Sequence, residues 1–195
     1  MTNPLGFPSD HFWLNEPVHN ERDGALTLTT LDGTDFWQRT HYGFSRDDGH
    51  ALLTSLHKDF QMTVRVRYSY EDQYDQCGLL VRIDALNWIK LSSERESSES
   101  SRLGSVVTNL GYSDWATTDV HGTEADIWYR VECRENDFHL YSSLDGEIWH
   151  RLRIAHLHSR QRPLNVGIYA CSPKKGGFQC QFSDFSLSPP EEKNH

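Results

Sequence analysis

The sequence predicts an all-β fold built as a two-sheet antiparallel β-sandwich. Three observations carry that prediction. Apolar and polar residues alternate over runs of five to nine residues, and the runs close on Gly, Asp, Asn or Ser. Such alternation suits a strand whose one face is buried and whose other face is wet. No apolar spacing of helical period persists for three turns. With 195 residues, the chain suits one large β domain, expected over 1–188, followed by a disordered tail at 189–195 (PPEEKNH).

Eleven strands follow in order. They are ALTLTTL (25–31), ALLTSLH (51–57), FQMTVRVRYSY (60–70), CGLLVRI (77–83), WIKLSS (88–93) and SVVTNL (105–110). Next come IWYRVECRE (127–135), FHLYSSL (138–144), IWHRLRIAHL (148–157), LNVGIYAC (164–171) and QCQFSDFSLS (179–188). Asp-Gly at 32–33 and 145–146 predicts hairpin turns, because both central residues tolerate positive φ. IDALNW (83–88) gives a hairpin loop of about four residues between two strands. KKGG (174–177) turns the chain between the last two strands. SSERESSESSR (92–102), the one low-complexity stretch, reads as a solvated, mobile hairpin tip.

Composition narrows the function. A net charge of −9 leaves no basic stripe for nucleic acid or an anionic membrane. The nearest approach is the group Arg151, Arg153, Arg160 and Arg162. The N-terminal MTNPLGFPSDHFWLN has neither a basic leader nor an apolar run, and nothing approaches a membrane-spanning length, so a soluble, cytoplasmic protein is expected. Cys77, Cys133, Cys171 and Cys180 lack metal-ligand spacing and are expected to be reduced core thiols, with a Cys171–Cys180 bridge as the sterically open alternative. Twelve per cent aromatics, six of them Trp, suit either core packing or a concave binding surface.

Several runs together carry a family resemblance. They are DFWQRTHYGF (35–44), YDQCGLLVRIDALNWIKLSSE (74–94), VVTNLGYSDW (106–115), IWYRVECRENDFHLYSSLDGEIWHRLR (127–153) and GIYACSPKKGGFQCQFSDF (167–185). The sequence resembles the "regulation of enolase" family of domains of unknown function over roughly residues 5 to 188. The specific element is Tyr-Asp-Gln-x-Gly-Leu-x-Val-Arg followed by Asn-Trp-Ile-Lys. The resemblance implies a concanavalin A-like jelly roll, as in legume lectins and several glycanases, and suggests enolase as a partner. Cys77 and the Ser-rich 95–102 loop depart from the plainer family pattern and would mark local regulation.

The candidate site starts from DFWQRTHYGF. If 35–41 is extended, Asp35, Trp37, Arg39 and His41 share a face. Trp37 would then take the apolar face of a sugar while Asp35, His41 and Tyr42 meet its hydroxyls; alternatively, Trp37 caps the core edge and Asp35 closes the turn. In YDQCGLLVRI, Cys77, Leu79, Val81 and Ile83 form the core face, and Gln76, Gly78, Leu80 and Arg82 the open one. Gly78 inside a strand marks a close approach of backbone or ligand. Across the hairpin, Trp88, Lys90, Ser92 and Glu94 continue the open face. Trp37 and Trp88 would stack on a ligand, Arg82 and Lys90 would hold an acidic or hydroxyl group, and Gln76 would hydrogen-bond. The other outcome is a solvated face of cross-strand ion pairs. Asp75 and Trp115 complete the candidates.

A catalytic constellation is missing. Glycan hydrolysis needs two positioned carboxyl groups, and the E-x-D-x-E strand of jelly-roll glycanases does not occur; Asp75 with Glu94 is the remaining pairing. HLH (156–158) offers two imidazoles without a third metal ligand. His41, Asp35 and Ser45 lack a nucleophile elbow, and no phosphate-binding glycine run occurs. SLDGEIW (143–149) resembles an aspartate box with its spacing off by one, and reads as a turn whose Trp149 packs on the sheet. No metal or cofactor is expected. A non-catalytic protein that binds a carbohydrate or small polar metabolite is the leading expectation. A glycan-active enzyme and a protein-interaction module are the alternatives.

Overall fold

A computed structural model of the chain describes residues 5–122, 124–159 and 163–191. Sixteen strands and no helix occur among them. The first eight are β1 (Phe12–Leu14), β2 (Val18–Arg22), β3 (Ala25–Thr29), β4 (Phe36–Gln38), β5 (Ser45–Asp47), β6 (His50–Leu56), β7 (Phe60–Ser69) and β8 (Gln76–Asp84). The rest are β9 (Asn87–Arg95), β10 (Ser100–Asn109), β11 (Tyr112–His121), β12 (Glu124–Arg134), β13 (Asp137–Ser143), β14 (His150–His156), β15 (Leu164–Cys171) and β16 (Gln179–Ser188). One antiparallel sheet has the order β1-β6-β15-β8-β9-β10-β11 and the other β14-β13-β12-β7-β16-β3-β2, while β4 and β5 pair only with each other.

The inner faces form the main core. Cys77, Leu79 and Val81 of β8 and Ile89 and Leu91 of β9 pack in one cluster with Met62, Val64 and Val66 of β7 and Tyr129 and Val131 of β12. Each fully buried side chain of this size contributes roughly 1.5–3 kcal/mol relative to exposure. A second cluster lies on the outer face of the first sheet. There Leu53, Leu80, Trp88, Val106 and Tyr169 pack beneath Phe36 and Trp37 of the β4–β5 hairpin. The central strands of this sheet are thus buried on both faces, which explains why CGLLV and GIYAC are nearly continuous apolar runs.

All eleven predicted strands have counterparts. The additional ones are β4, β5, and the sheet-edge strands β1, β2 and β11. An edge strand buries little, and β2 is exposed throughout, so no strong alternation marks it. Two expectations change, and one open alternative closes. The Asp-Gly turn at 32–33 leads β3 of one sheet to β4 above the other, and those two strands do not pair. Most of SSERESSESSR lies in the β9–β10 ladder, leaving only 96–99 as the link. All four cysteines are free and buried; Cys171 lies in the outer cluster and Cys180 in the inner one, so the alternative bridge does not form. Arg160 and Arg162, and tail residues 192–195, lie outside the described residues.

Candidate functional site

The β4–β5 hairpin is a flap sewn to the outer face of the first sheet. At one end the Gln38 amide donates to Ser113 Oγ (2.9 Å), which also lies 2.7 Å from Thr108 Oγ1. At the other end the Asp48 and Gly49 amides donate to the Asp35 carbonyl, closing the hairpin's base where the chain enters β6. Between these anchors two ion pairs run from flap to sheet: Lys90 Nζ to Asp35 at 3.1 Å and Arg82 to Asp47 at 2.7 Å. The chain leaves extended geometry directly after Gln38, where Arg39, His41 and Gly43 take positive φ. The Arg39 amide donates to the Phe44 carbonyl and the Gly43 amide to the Arg39 carbonyl, closing the flap's loop.

Beside the flap opens a cavity of about 590 Å³. Its walls are aromatic. Trp37 meets Tyr42 and Trp115 edge-on, with centroids 5.4 and 6.4 Å apart, and Tyr42 stacks on Phe44 at 5.7 Å. Trp37 is 7% exposed and its Nε1 donates to the Thr40 carbonyl, so Tyr42 (55% exposed) and Phe44 (45%) offer more open ring surface. Gln76, Lys90, Glu94 and Arg102 line the cavity from the sheet, and Asp35, Arg46, Tyr74, Glu96 and Lys174 line it from the flap and loops.

Desolvation sets the electrostatics. Burial works against the Lys90 ammonium, but the groups around it, Asp35 foremost, together offset that cost and hold Lys90 above the ordinary lysine value. Burial pushes Glu94 up to about 8; Lys90 opposes that rise, and the nearby acids Asp35 and Glu96 reinforce it. Glu94 is therefore chiefly a neutral carboxylic acid at pH 7. Gln76 Nε2 donates to Glu94 Oε2 at 2.7 Å, and Gln76 Oε1 lies 3.2 Å from the Tyr169 hydroxyl, itself 2.7 Å from Ser92 Oγ. With one oxygen accepting from Gln76, the other oxygen of Glu94 can donate its proton. The cavity thus combines ring surface, a neutral hydrogen-bond donor and a buried ion pair. Among the described residues no cluster of side chains could hold a metal ion.

Seven of the eleven predicted residues line this cavity: Asp35, Trp37, Tyr42, Gln76, Lys90, Glu94 and Trp115. Four lie elsewhere. His41 belongs to the positive-φ loop and packs edge-on against Tyr42, because the chain is not extended there. Asp75 is fully buried and structural, accepting from Ser172 Oγ and the Glu71 and Asp72 amides. Arg82 is consumed by Asp47 under the flap. Trp88 is fully buried in the outer cluster, with Nε1 donating to the Ala85 carbonyl, and cannot stack on a ligand. Gly78 does mark a close approach: a Cβ there would lie 2.0 Å from the Leu91 carbonyl oxygen of the adjacent strand. Sequence reasoning missed Phe44, Arg46, Tyr74, Glu96, Arg102 and Lys174. The aromatic side of this set was in view in DFWQRTHYGF and YDQCG, but the charged residues, on β5, β10 and the loops, carried no local signal.

The remaining motifs stay structural. In SLDGEIW, Asp145 Oδ1 accepts from the Glu147 and Ile148 amides, and Trp149 lies under Arg130 at 3.8 Å. In HLH, His156 pairs with Asp137 at 2.6 Å.

Comparison with known proteins extends this picture. Residues 13–190 match the family described as a protein of unknown function, DUF1349. "Regulation of enolase protein 1" of Saccharomyces cerevisiae is 42% identical over 180 residues, spanning 91% of this chain and 89% of that protein. A crystal structure of a functionally unknown protein from Saccharomyces cerevisiae superposes with a TM-score of 0.87 at 38% identity, over 94% of this chain and 98% of that one. A GH43 protein from Bacillus licheniformis superposes with a TM-score of 0.72 at 17% identity, over 93% of this chain and 37% of that one. At that identity only the fold is shared, a β-sandwich of the concanavalin A-like kind.

Proposed function

The chain belongs to the DUF1349 family, and on that premise we propose that its flap-covered cavity binds a carbohydrate or small polar metabolite without converting it, as a regulatory protein of carbohydrate metabolism. The observation that carries this is the pairing of exposed rings (Tyr42, Phe44) with desolvated polar groups (Lys90, Glu94, Gln76) in one cavity. Its volume falls in the usual range for small-molecule sites. Rings take up the apolar face of a sugar, and fixed donors select its hydroxyls. The name of the yeast relative supports a regulatory role, with enolase as the first protein partner to test. Four free thiols suit a cytoplasmic setting.

One observation favours a second function, a glycan-active enzyme. Asp35 and Glu94 line the same cavity with unlike partners, an ammonium and an amide. A protonated acid beside an ionised carboxylate is the pairing that glycoside hydrolysis uses. Thermal unfolding against mono- and oligosaccharides, uronates and glycolytic metabolites tests the binding function, with Tyr42→Ala in parallel. A ligand at ten times its Kd adds about 1.4 kcal/mol, a rise in Tm of roughly 3–6 °C. A rise in the wild type that the folded variant loses supports the cavity. No rise across the panel removes it, and hydrolysis of a glycan in the panel moves the assignment to the enzyme.

A further inference from the structure

The cavity's charge is opposite to that of the protein around it. The whole chain carries −9, yet four cations line the cavity, Arg46, Lys90, Arg102 and Lys174, against the three carboxyl groups of Asp35, Glu94 and Glu96. Glu94 holds its proton up to about 8, so at neutral pH the lining has two more positive charges than negative.

The pairing of these groups says where an anion would go. Asp35 is engaged by Lys90 at 3.1 Å and Glu96 by Arg102 at 3.4 Å. Arg46 is engaged by Asp48, a carboxylate outside the lining, at 2.9 Å. Lys174 has no carboxylate within ion-pair distance among the described residues; its ammonium sits 5.6 Å from the centre of the Tyr74 ring. Lys174 is exposed on the KKGG turn and lines the cavity. A turn lysine without a carboxylate partner among the described residues, set by the Tyr74 ring, leaves its charge free to meet a negative group in the cavity.

We propose that the preferred ligand is an anionic sugar, either a sugar acid or a sugar phosphate, with its charged group held by Lys174 and its hydroxyls toward Lys90, Glu94 and Gln76 on the sheet. This rests on the function proposed above and narrows its substrate class. A neutral sugar would leave the cationic mouth without a counter-charge, whereas an anion is drawn in by it. Charge-assisted hydrogen bonds from Lys and Arg are also the stronger kind.

Calorimetric titration of the full chain with glucose, glucuronate, glucose 6-phosphate and inorganic phosphate, at low and at physiological salt, tests it. Glucuronate or glucose 6-phosphate should bind on the order of tenfold tighter than glucose, and the advantage should shrink as salt rises. Lys174→Ala should cut the preference for the charged sugar severalfold, while Lys175→Ala, the next residue on the same turn, should leave it intact. Three results overturn the proposal while preserving a sugar-binding cavity: glucose binding as tightly as its charged analogues, a preference that ignores salt, or a preference that survives Lys174→Ala. Inorganic phosphate binding as tightly as glucose 6-phosphate overturns the sugar half of it. If none of the four probes binds, the cavity's proposed function and this inference fall together.

Discussion

The two sheets carry similar residues on their outer faces and treat them in opposite ways. On the second sheet, Trp128 lies under Arg65 and Trp149 under Arg130, and Asp126 accepts from Arg65 and Arg67. Among the described residues no strand pair lies over that face, and its charges pair along the surface. On the first sheet, the β4–β5 flap covers Trp88, Lys90 and Leu80. Two carboxyl groups record the difference: hydrogen bonds from Arg65 hold Asp126 below the usual range, whereas burial pushes Glu94 up to about 8. A ring and a charge on adjacent strands make a solvated ladder when open to water. The same ingredients make a desolvated cavity when a three-residue strand pair is laid over them.

Matched substitutions on the two faces should break or sharpen this contrast. The largest effect belongs to Trp88→Ala, expected to cost about 3–5 kcal/mol because a fully buried indole leaves a void. Trp149→Ala, which loses a ring stacked with an arginine at the surface, should cost nearer 1 kcal/mol. Denaturant unfolding of both variants checks the ratio, and equal losses would mean the flap does not seal its face.

Next in size is Asp35→Ala, which leaves the Lys90 ammonium, 4% exposed, without its counter-charge. Removing one partner of a buried pair costs about 3 kcal/mol or more. Lys90 in that variant should titrate below its wild-type value, observable by NMR of the side-chain amine. The double substitution Asp35→Ala with Lys90→Met should recover part of the loss.

Glu94 provides an effect that depends on pH. Its folded value lies above that of the unfolded chain, so the native state keeps a proton that the unfolded state gives up. Its stabilising contribution is complete below the ordinary glutamate range, declines as pH rises from there, and is gone above about 8. Glu94→Gln should flatten that decline in a pH series of unfolding midpoints. A wild-type curve already flat over this window would place Glu94 in contact with water. Asp126 has the opposite sign: its contribution is present at neutral pH and lost on acidification. The smallest effect is therefore that of Asp126→Ala at neutral pH, under about 1 kcal/mol as for other half-exposed surface pairs.

Much of the sandwich is legible in local pattern. Cys77, Leu79, Val81 and Ile83 alternate with Gln76, Gly78, Leu80 and Arg82, and they do reach the inner core. The strands that escaped detection are edges or pairs of three residues, where little burial is required and no alternation results. The flap was half visible. CGLLV and GIYAC are apolar on both faces, and a strand apolar on both faces needs a cover on each. What covers the outer one, however, is set by where the turn at Asp32 and Gly33 sends the chain.

Alternation along a strand assigns each side chain to a face, which is why Gln76, Lys90, Glu94 and Trp37 could be placed together before the fold was known. It carries no information about the depth of water over that face. Trp88 and Arg82 have the same parity as Lys90 and Glu94, yet the first is sealed under Phe36 and the second neutralised by Asp47. Arg102 and Lys174 reach the cavity from β10 and from a turn distant in the chain. Desolvation, and so the charge state of Glu94 and the choice of wall residues, arises from contacts between segments far apart in sequence. Periodicity is a local property of the chain, whereas the dielectric around a side chain is a property of everything packed against it.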